Sequence, residues 1–204
     1  KKIKKKNFQK FIKSYHSKHH IPINYLNKNF IKEIKNNYNI FAIVRNPYDR
    51  IVSVFKFWIK FKEQHQNSNN FRFLKLIKDN NNIFKSYELN KTNLNLFVKT
   101  VLTSNKFKYA LDGHLLPMYL FVYLKINGKL IKLANVLKME NLNNDFNILI
   151  KDNKIKIPKN ILNKVFVNKS DDKLTKYDLN NESIDIIRNY YKLDFKYFNY
   201  NTNL

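Results

Sequence analysis

The residues best placed to do chemistry are Arg45 and Ser53, which bracket the segment Arg45-Asn46-Pro47-Tyr48-Asp49-Arg50-Ile51-Val52-Ser53. Before it runs Ile40-Phe41-Ala42-Ile43-Val44, a short continuous apolar stretch with the pattern of a strand buried on both faces of a parallel sheet. Asn46 is a good N-cap, Pro47 suits the first helical position, and Asp49 falls in the positive first turn. A strand that ends in arginine just as a helix opens makes an anion site. Free backbone N–H groups and the helix dipole point at the ligand, and the planar guanidinium can hold two phosphate oxygens. Ser53, about two turns into the helix, offers a hydroxyl to a phosphate lying along the helix flank. The plain alternative is a strand, turn and helix with a capping Asn and surface arginines.

These residues need elements to hold them. Ile51, Val54, Phe55, Trp58 and Phe61 recur at three- and four-residue steps, so the helix after Asn46 has one core-facing stripe. Leu94, Phe97, Val98, Val101 and Leu102 predict a second amphipathic helix. Asp112-Gly113-His114 reads as a turn before the apolar piece Leu115–Leu124. Asn127-Gly128 is a hairpin signal, and a strand is predicted over Leu130–Leu137. Further helices are predicted at 141–150, 158–164 and 181–192, and Ile3, Phe8, Phe11 and Ile12 have loosely helical spacing. Strands alternating with helices give the α/β class with a mostly parallel sheet. With neither repeat nor domain boundary in view, residues 1–204 form one domain.

Composition narrows the function classes. An apolar fraction of 44% with 15% aromatic residues is that of a globular chain. Lys and Arg number 39 against 15 Asp and Glu, a formal net charge of +24. That surplus favours polyanionic partners: nucleic acid, phosphorylated cofactors, acidic glycans or an anionic membrane. The lysines are spread out, however, and Asn, Lys and Ile crowd the whole chain, so AT-rich coding accounts for the charge equally well. The chain has no Cys, which excludes disulfides and thiolate metal sites and leans towards a reducing, cytoplasmic compartment. No apolar stretch approaches the ~18 residues that span a bilayer. His16, His19 and His20 have a spacing a metal could use, but no carboxylate motif accompanies them.

The segment from Val44 to Ser53 resembles the 3′-phosphate-binding motif of sulfotransferases that use 3′-phosphoadenosine-5′-phosphosulfate (PAPS). It is closest to their carbohydrate (Golgi-type, family 2) branch. The similarity continues in order along about residues 16–200. Asp112-Gly113-His114-Leu115-Leu116-Pro117 resembles the family's Asp-x-His-x-x-Pro segment, and Leu137–Leu142 its strand ending in Glu-Asn-Leu. Asn168-Lys169-Ser170 is similar to a late loop that reaches the nucleotide phosphate. Tyr190–Phe195 with Phe198-Asn199-Tyr200 matches the closing Tyr-x-x-Asp-Phe and Phe-x-Tyr pattern. The resemblance implies a P-loop-kinase-like α/β fold, a central mostly parallel sheet flanked by helices with its ligand at the carboxyl ends of the strands. It also implies transfer of a sulfuryl group from PAPS to a hydroxyl, on a carbohydrate, leaving 3′-phosphoadenosine 5′-phosphate (PAP) and needing no metal. Arg45 and Ser53 would hold the 3′-phosphate, with Lys169 and Ser170 supplementing them. The acceptor's proton would pass to His16 or, from the acceptor side, His114; His20 and Glu33 are weaker candidates. Glu140 is expected to anchor the strand–helix junction.

One block of the family pattern has no counterpart: the upstream Gly- and Ser/Thr-bearing loop whose Lys cradles the transferring sulfate. Gly113 and Gly128 are the only glycines, and both follow Arg45. The expectation is a sulfotransferase domain lacking its N-terminal 5′-phosphosulfate-binding strand, loop and helix; the other reading is a degenerate, inactive member. The resemblance also admits a Golgi or membrane-associated setting with an upstream anchor. A different class, a non-catalytic binder of nucleic acid or glycan, rests on the charge and the aromatic content, with no nucleic-acid motif behind it.

Overall fold

The computed structural model describes residues 21–26, 28–64, 88–104, 113–156 and 174–204. A 3-10 turn at Ile23–Tyr25 precedes helix α1 (Lys28–Asn37), which the mixed sequence there did not reveal. Strand β1 (Phe41–Val44) leads through Arg45 and Asn46 into α2 (Pro47–Gln64). Helix α3 is Lys91–Thr103, and the short α4 (Tyr119–Val122) runs straight into β2 (Tyr123–Ile126). Then come β3 (Lys129–Lys132), β4 (Asn135–Lys138), α5 (Leu142–Asp152), α6 (Asn181–Tyr190) and α7 (Lys192–Tyr197).

Two small sheets are described. β1 and β4 are parallel, with Val44 opposite Lys138, so the chain is α/β as expected. β2 and β3 form an antiparallel hairpin across Asn127 and Gly128, whose φ angles of 48° and 81° are the left-handed pair a two-residue turn requires. The predicted strand Leu130–Leu137 is therefore two strands in two sheets. The chain changes partner at Leu133, whose N–H bonds to the Val122 carbonyl at 2.9 Å, and Asn135 N–H then bonds to the Ile40 carbonyl at 2.8 Å. Ala134, 3% exposed, fills the step between them. An apolar run shows that residues are covered, not by which neighbour, so the change left no mark in the pattern. β1 departs from expectation for the same reason. Val44 is buried, but Phe41 and Ile43 are 49% and 44% exposed, because β4 is the one strand paired with β1 among the described residues.

The main core lies between α2, α3, α6 and α7. Phe55 meets Phe97 at a ring separation of 5.3 Å, and Tyr48 meets Phe195 at 5.0 Å. Ile51, Val54, Phe55 and Ile59 are buried as the stripe predicts, whereas Trp58 sits at the edge of this cluster, partly covered. The Phe61 side chain lies outside the described residues. A smaller core of Val44, Val122, Ala134 and Phe198 ties the parallel strands to the hairpin. The abundant asparagines do specific local work. Asn90 and Asn180 cap α3 and α6, accepting from Asn93 N–H at 2.8 Å and Ser183 N–H at 2.9 Å. Asn24 serves β2 as a neighbouring strand would: its amide donates to the Tyr123 carbonyl at 3.2 Å and accepts from Lys125 N–H at 2.7 Å.

Phe55→Ala should destabilise the fold by about 3–5 kcal/mol, since the whole side chain is enclosed. Trp58→Ala should cost less, because part of its ring already meets solvent. Equilibrium urea unfolding of the two variants checks the order; an equal or larger loss at Trp58 would mean that the core extends further around α2.

Candidate active site

The strand–helix junction is built as its sequence suggests. Asn46 Oδ1 accepts from Tyr48 N–H at 2.9 Å, and the Asn46 carbonyl takes the first helical bond, from Arg50 N–H, at 2.8 Å. This leaves Arg45 at the carboxyl end of β1, beside the opening turn of α2. Arg45 and Ser53 are both half-buried, Ser53 lying two turns along the helix. Among the described residues no carboxylate or carbonyl engages the Arg45 guanidinium. The acid nearest in the fold, Glu140, is already occupied. One of its oxygens accepts from Asn46 N–H at 2.6 Å and the other from the Tyr200 hydroxyl at 3.0 Å. Glu140 thus anchors the junction, joining the end of β4 to the start of α2. Burial, and then the negative charge of Glu140, push the Tyr200 phenol far above its ordinary value, so it remains a donor to that carboxylate. Lys138 caps the same ring at 4.7 Å and adds a second cation at the end of the parallel pair.

The three other quoted motifs meet in one polar clamp. Gly113, with φ of 81°, opens a tight turn that residues with a Cβ rarely adopt. Every carbonyl of the next three residues is then held by a side chain from elsewhere. Arg50 donates to the His114 carbonyl and, at 2.8 Å, to that of Leu116; the Tyr191 hydroxyl donates to Leu115 at 2.8 Å. Asp194, 1% exposed, closes the set by accepting from Met118 and Tyr119 N–H at 2.7 and 2.8 Å, where it caps α4. Arg50 lies 3.9 Å from Asp194 and 5.6 Å from the centre of the Tyr191 ring. The motif residues Arg50, Tyr191 and Asp194 therefore serve positioning, a role that spacing alone could not assign because they are 141 or more positions apart in sequence.

Of the proton-transfer candidates, His114 stands in this clamped turn. Its ring lies nearly parallel to Phe57, 14° between planes and 6.0 Å between centres. His16, His19 and His20, and the anion-binding candidates Lys169 and Ser170, fall outside the described residues. Glu33 is exposed on α1, and its backbone carbonyl accepts from the Asn37 amide at 3.0 Å.

This is an α/β protein whose parallel strand pair ends in a built anion-binding turn. A family model described as the sulfotransferase family matches residues 1–201, and the chain belongs to that family, whose members transfer sulfuryl groups. No curated protein and no solved structure matches it significantly.

Asp194 gives the clamp a measurable pH signature. Burial raises its carboxyl to about 6, against the opposing pull of the Tyr119 and Met118 N–H groups and Arg50. A folded value above the ordinary 3.8 means that the proton binds the folded chain more tightly. That contribution is full below about pH 4 and is lost as pH rises through about 6. Relative to Asp194→Asn, which does not titrate, the parent should lose up to about 3 kcal/mol of unfolding free energy between pH 4 and 7. Paired denaturation curves at each pH test this; a constant gap would show that Asp194 is ionised without penalty.

Proposed function

We propose that this chain moves a sulfuryl group from PAPS to a hydroxyl, of a carbohydrate, and that Arg45 and Ser53 read the 3′-phosphate of the nucleotide. One observation carries the reading: Arg45 stands at the helix-opening end of a parallel strand while Glu140, its natural competitor for an anion's place, is bonded to Asn46 and Tyr200. The phosphate would meet a guanidinium fork, the positive end of α2 and the Ser53 hydroxyl, without facing an unengaged carboxylate. Met139, 43% exposed, follows Lys138, the residue in register with Val44, and so stands beside Arg45. Its thioether gives a nucleotide base an apolar surface next to the phosphate.

PAPS supplies a sulfur bonded to a good leaving group, so the protein's work is positioning and charge. The acceptor oxygen bonds to sulfur, the sulfur–phosphate oxygen bond breaks, and that oxygen leaves with the electron pair on PAP. The acceptor's proton goes to a base, for which His114 and His16 are the candidates. Arg45 contributes by fixing the nucleotide, Ser53 by orienting the same phosphate, and Lys169 and Ser170 by adding to the cradle. P-loop-like architecture, with this chain lacking the upstream sulfate loop, belongs to the same proposal.

Calorimetric titration with PAP tests it. Arg45→Ala should weaken binding by about thirty- to a thousand-fold, roughly 2–4 kcal/mol, and Ser53→Ala by roughly 1–2 kcal/mol. Arg45→Lys should recover only part, since an ammonium keeps the charge but loses the two-pronged geometry. Adenosine 5′-phosphate, which has no 3′-phosphate, should bind all four proteins alike. Equal losses for both nucleotides at Arg45→Ala would remove Arg45 from the 3′-phosphate.

A further inference from the structure

A cleft of about 450 Å³ opens beside the clamped turn, within the size range of small-ligand sites. Its floor is Leu116 and Pro117, both buried, and its walls include Tyr25, Tyr119 and Tyr190 from three separate segments. The rim is polar: Asn189 and Lys192, both exposed, flank the mouth. Lys192 is the only charged side chain in the lining, and no acidic residue lines the cleft with it.

We infer that this cleft is the acceptor subsite and that it takes a uronate-bearing sugar, an inference resting on the carbohydrate reading above. Three tyrosines and two prolines offer flat apolar surfaces suited to the C–H faces of a pyranose, with phenolic hydroxyls for its polar edge. The Asn189 amide can both donate to and accept from ring hydroxyls. The unopposed ammonium of Lys192 selects a carboxylate over a neutral substituent. The floor is rigid because Arg50 and Tyr191 hold the Leu116 and Leu115 carbonyls, so little order is lost when a ligand settles on it. His114, the candidate base, is two positions before Leu116 on that same held turn.

The test uses a uronate-containing hexasaccharide and its carboxyl-reduced form, titrated at physiological salt. The parent should bind the acidic sugar about tenfold more tightly than the reduced one, as one charge-assisted contact allows. Lys192→Ala should abolish that preference, and Tyr25→Ala should weaken both sugars while keeping it. Lys129→Ala, on the distant face of the hairpin turn, should change nothing. The assignment is overturned if the parent shows no preference, if Lys192→Ala retains it, or if Lys129→Ala reduces it as much, which would mean that net charge alone attracts the sugar. PAP titration of the same proteins separates the two readings. Normal PAP binding with a failed sugar result removes the cleft alone, and failed PAP binding removes the donor reading while the sugar result still judges the cleft.

Discussion

Arg50 has its guanidinium inside the protein, where water cannot compensate it, and the fold around it is arranged to do so. It donates to two carbonyls of the turn after Gly113, lies over the Tyr191 ring, and faces the Asp194 carboxylate. Burying a charge is costly unless it is paired and hydrogen-bonded, and breaking such a set is costlier than never having built it. The arrangement therefore fixes the mutual placement of α2, the clamped turn and the C-terminal helices. Both candidate sites depend on it: α2 carries the anion-binding turn at its start, and the clamped turn carries His114 and the cleft floor.

Glu140 plays the same part on the other side of the molecule at smaller scale. A carboxylate at the end of β4 would ordinarily repel an anion brought to the neighbouring strand. Here it accepts two hydrogen bonds, from Asn46 N–H and the Tyr200 hydroxyl, and its charge is spent on holding the strand pair to the helix. Removing that competitor leaves Arg45 available, and the same bonds stop the junction from shifting when it takes up a ligand. Stability and binding thus draw on one set of contacts.

Much of this was legible in the residues. The Asn46 cap, the α2 stripe, the helix around Leu94–Leu102 and the Asn127-Gly128 turn follow from local rules, because each depends on neighbours within a few positions. Glu140 at the junction was legible as well. What escaped was the identity of distant neighbours: the split of 130–137 between two sheets, the exposed face of β1, and the partial burial of Trp58. Arg50, Tyr191 and Asp194 could be quoted as parts of motifs, yet nothing in their order says that they bond to one turn. The asparagines illustrate the limit best. Their number suggests base composition, but Asn24, Asn46, Asn90 and Asn180 each satisfy a particular backbone group.

The bond pair made by Asn24 also bears on how copies of the chain behave at high concentration. A two-stranded ribbon has open margins on which another polypeptide can template itself, and the β2–β3 ribbon carries the exposed residues Ile126 and Ile131 that would reward it. Asn24 occupies the Tyr123 and Lys125 backbone positions on one margin, while the other belongs to β3, whose exposed ends are Lys129 and Lys132. One margin is thus sealed by a carboxamide and the other guarded by like charge. The ribbon is thereby kept from serving as a seed for cross-strand aggregation, a safeguard supplied by one side chain from outside the sheet.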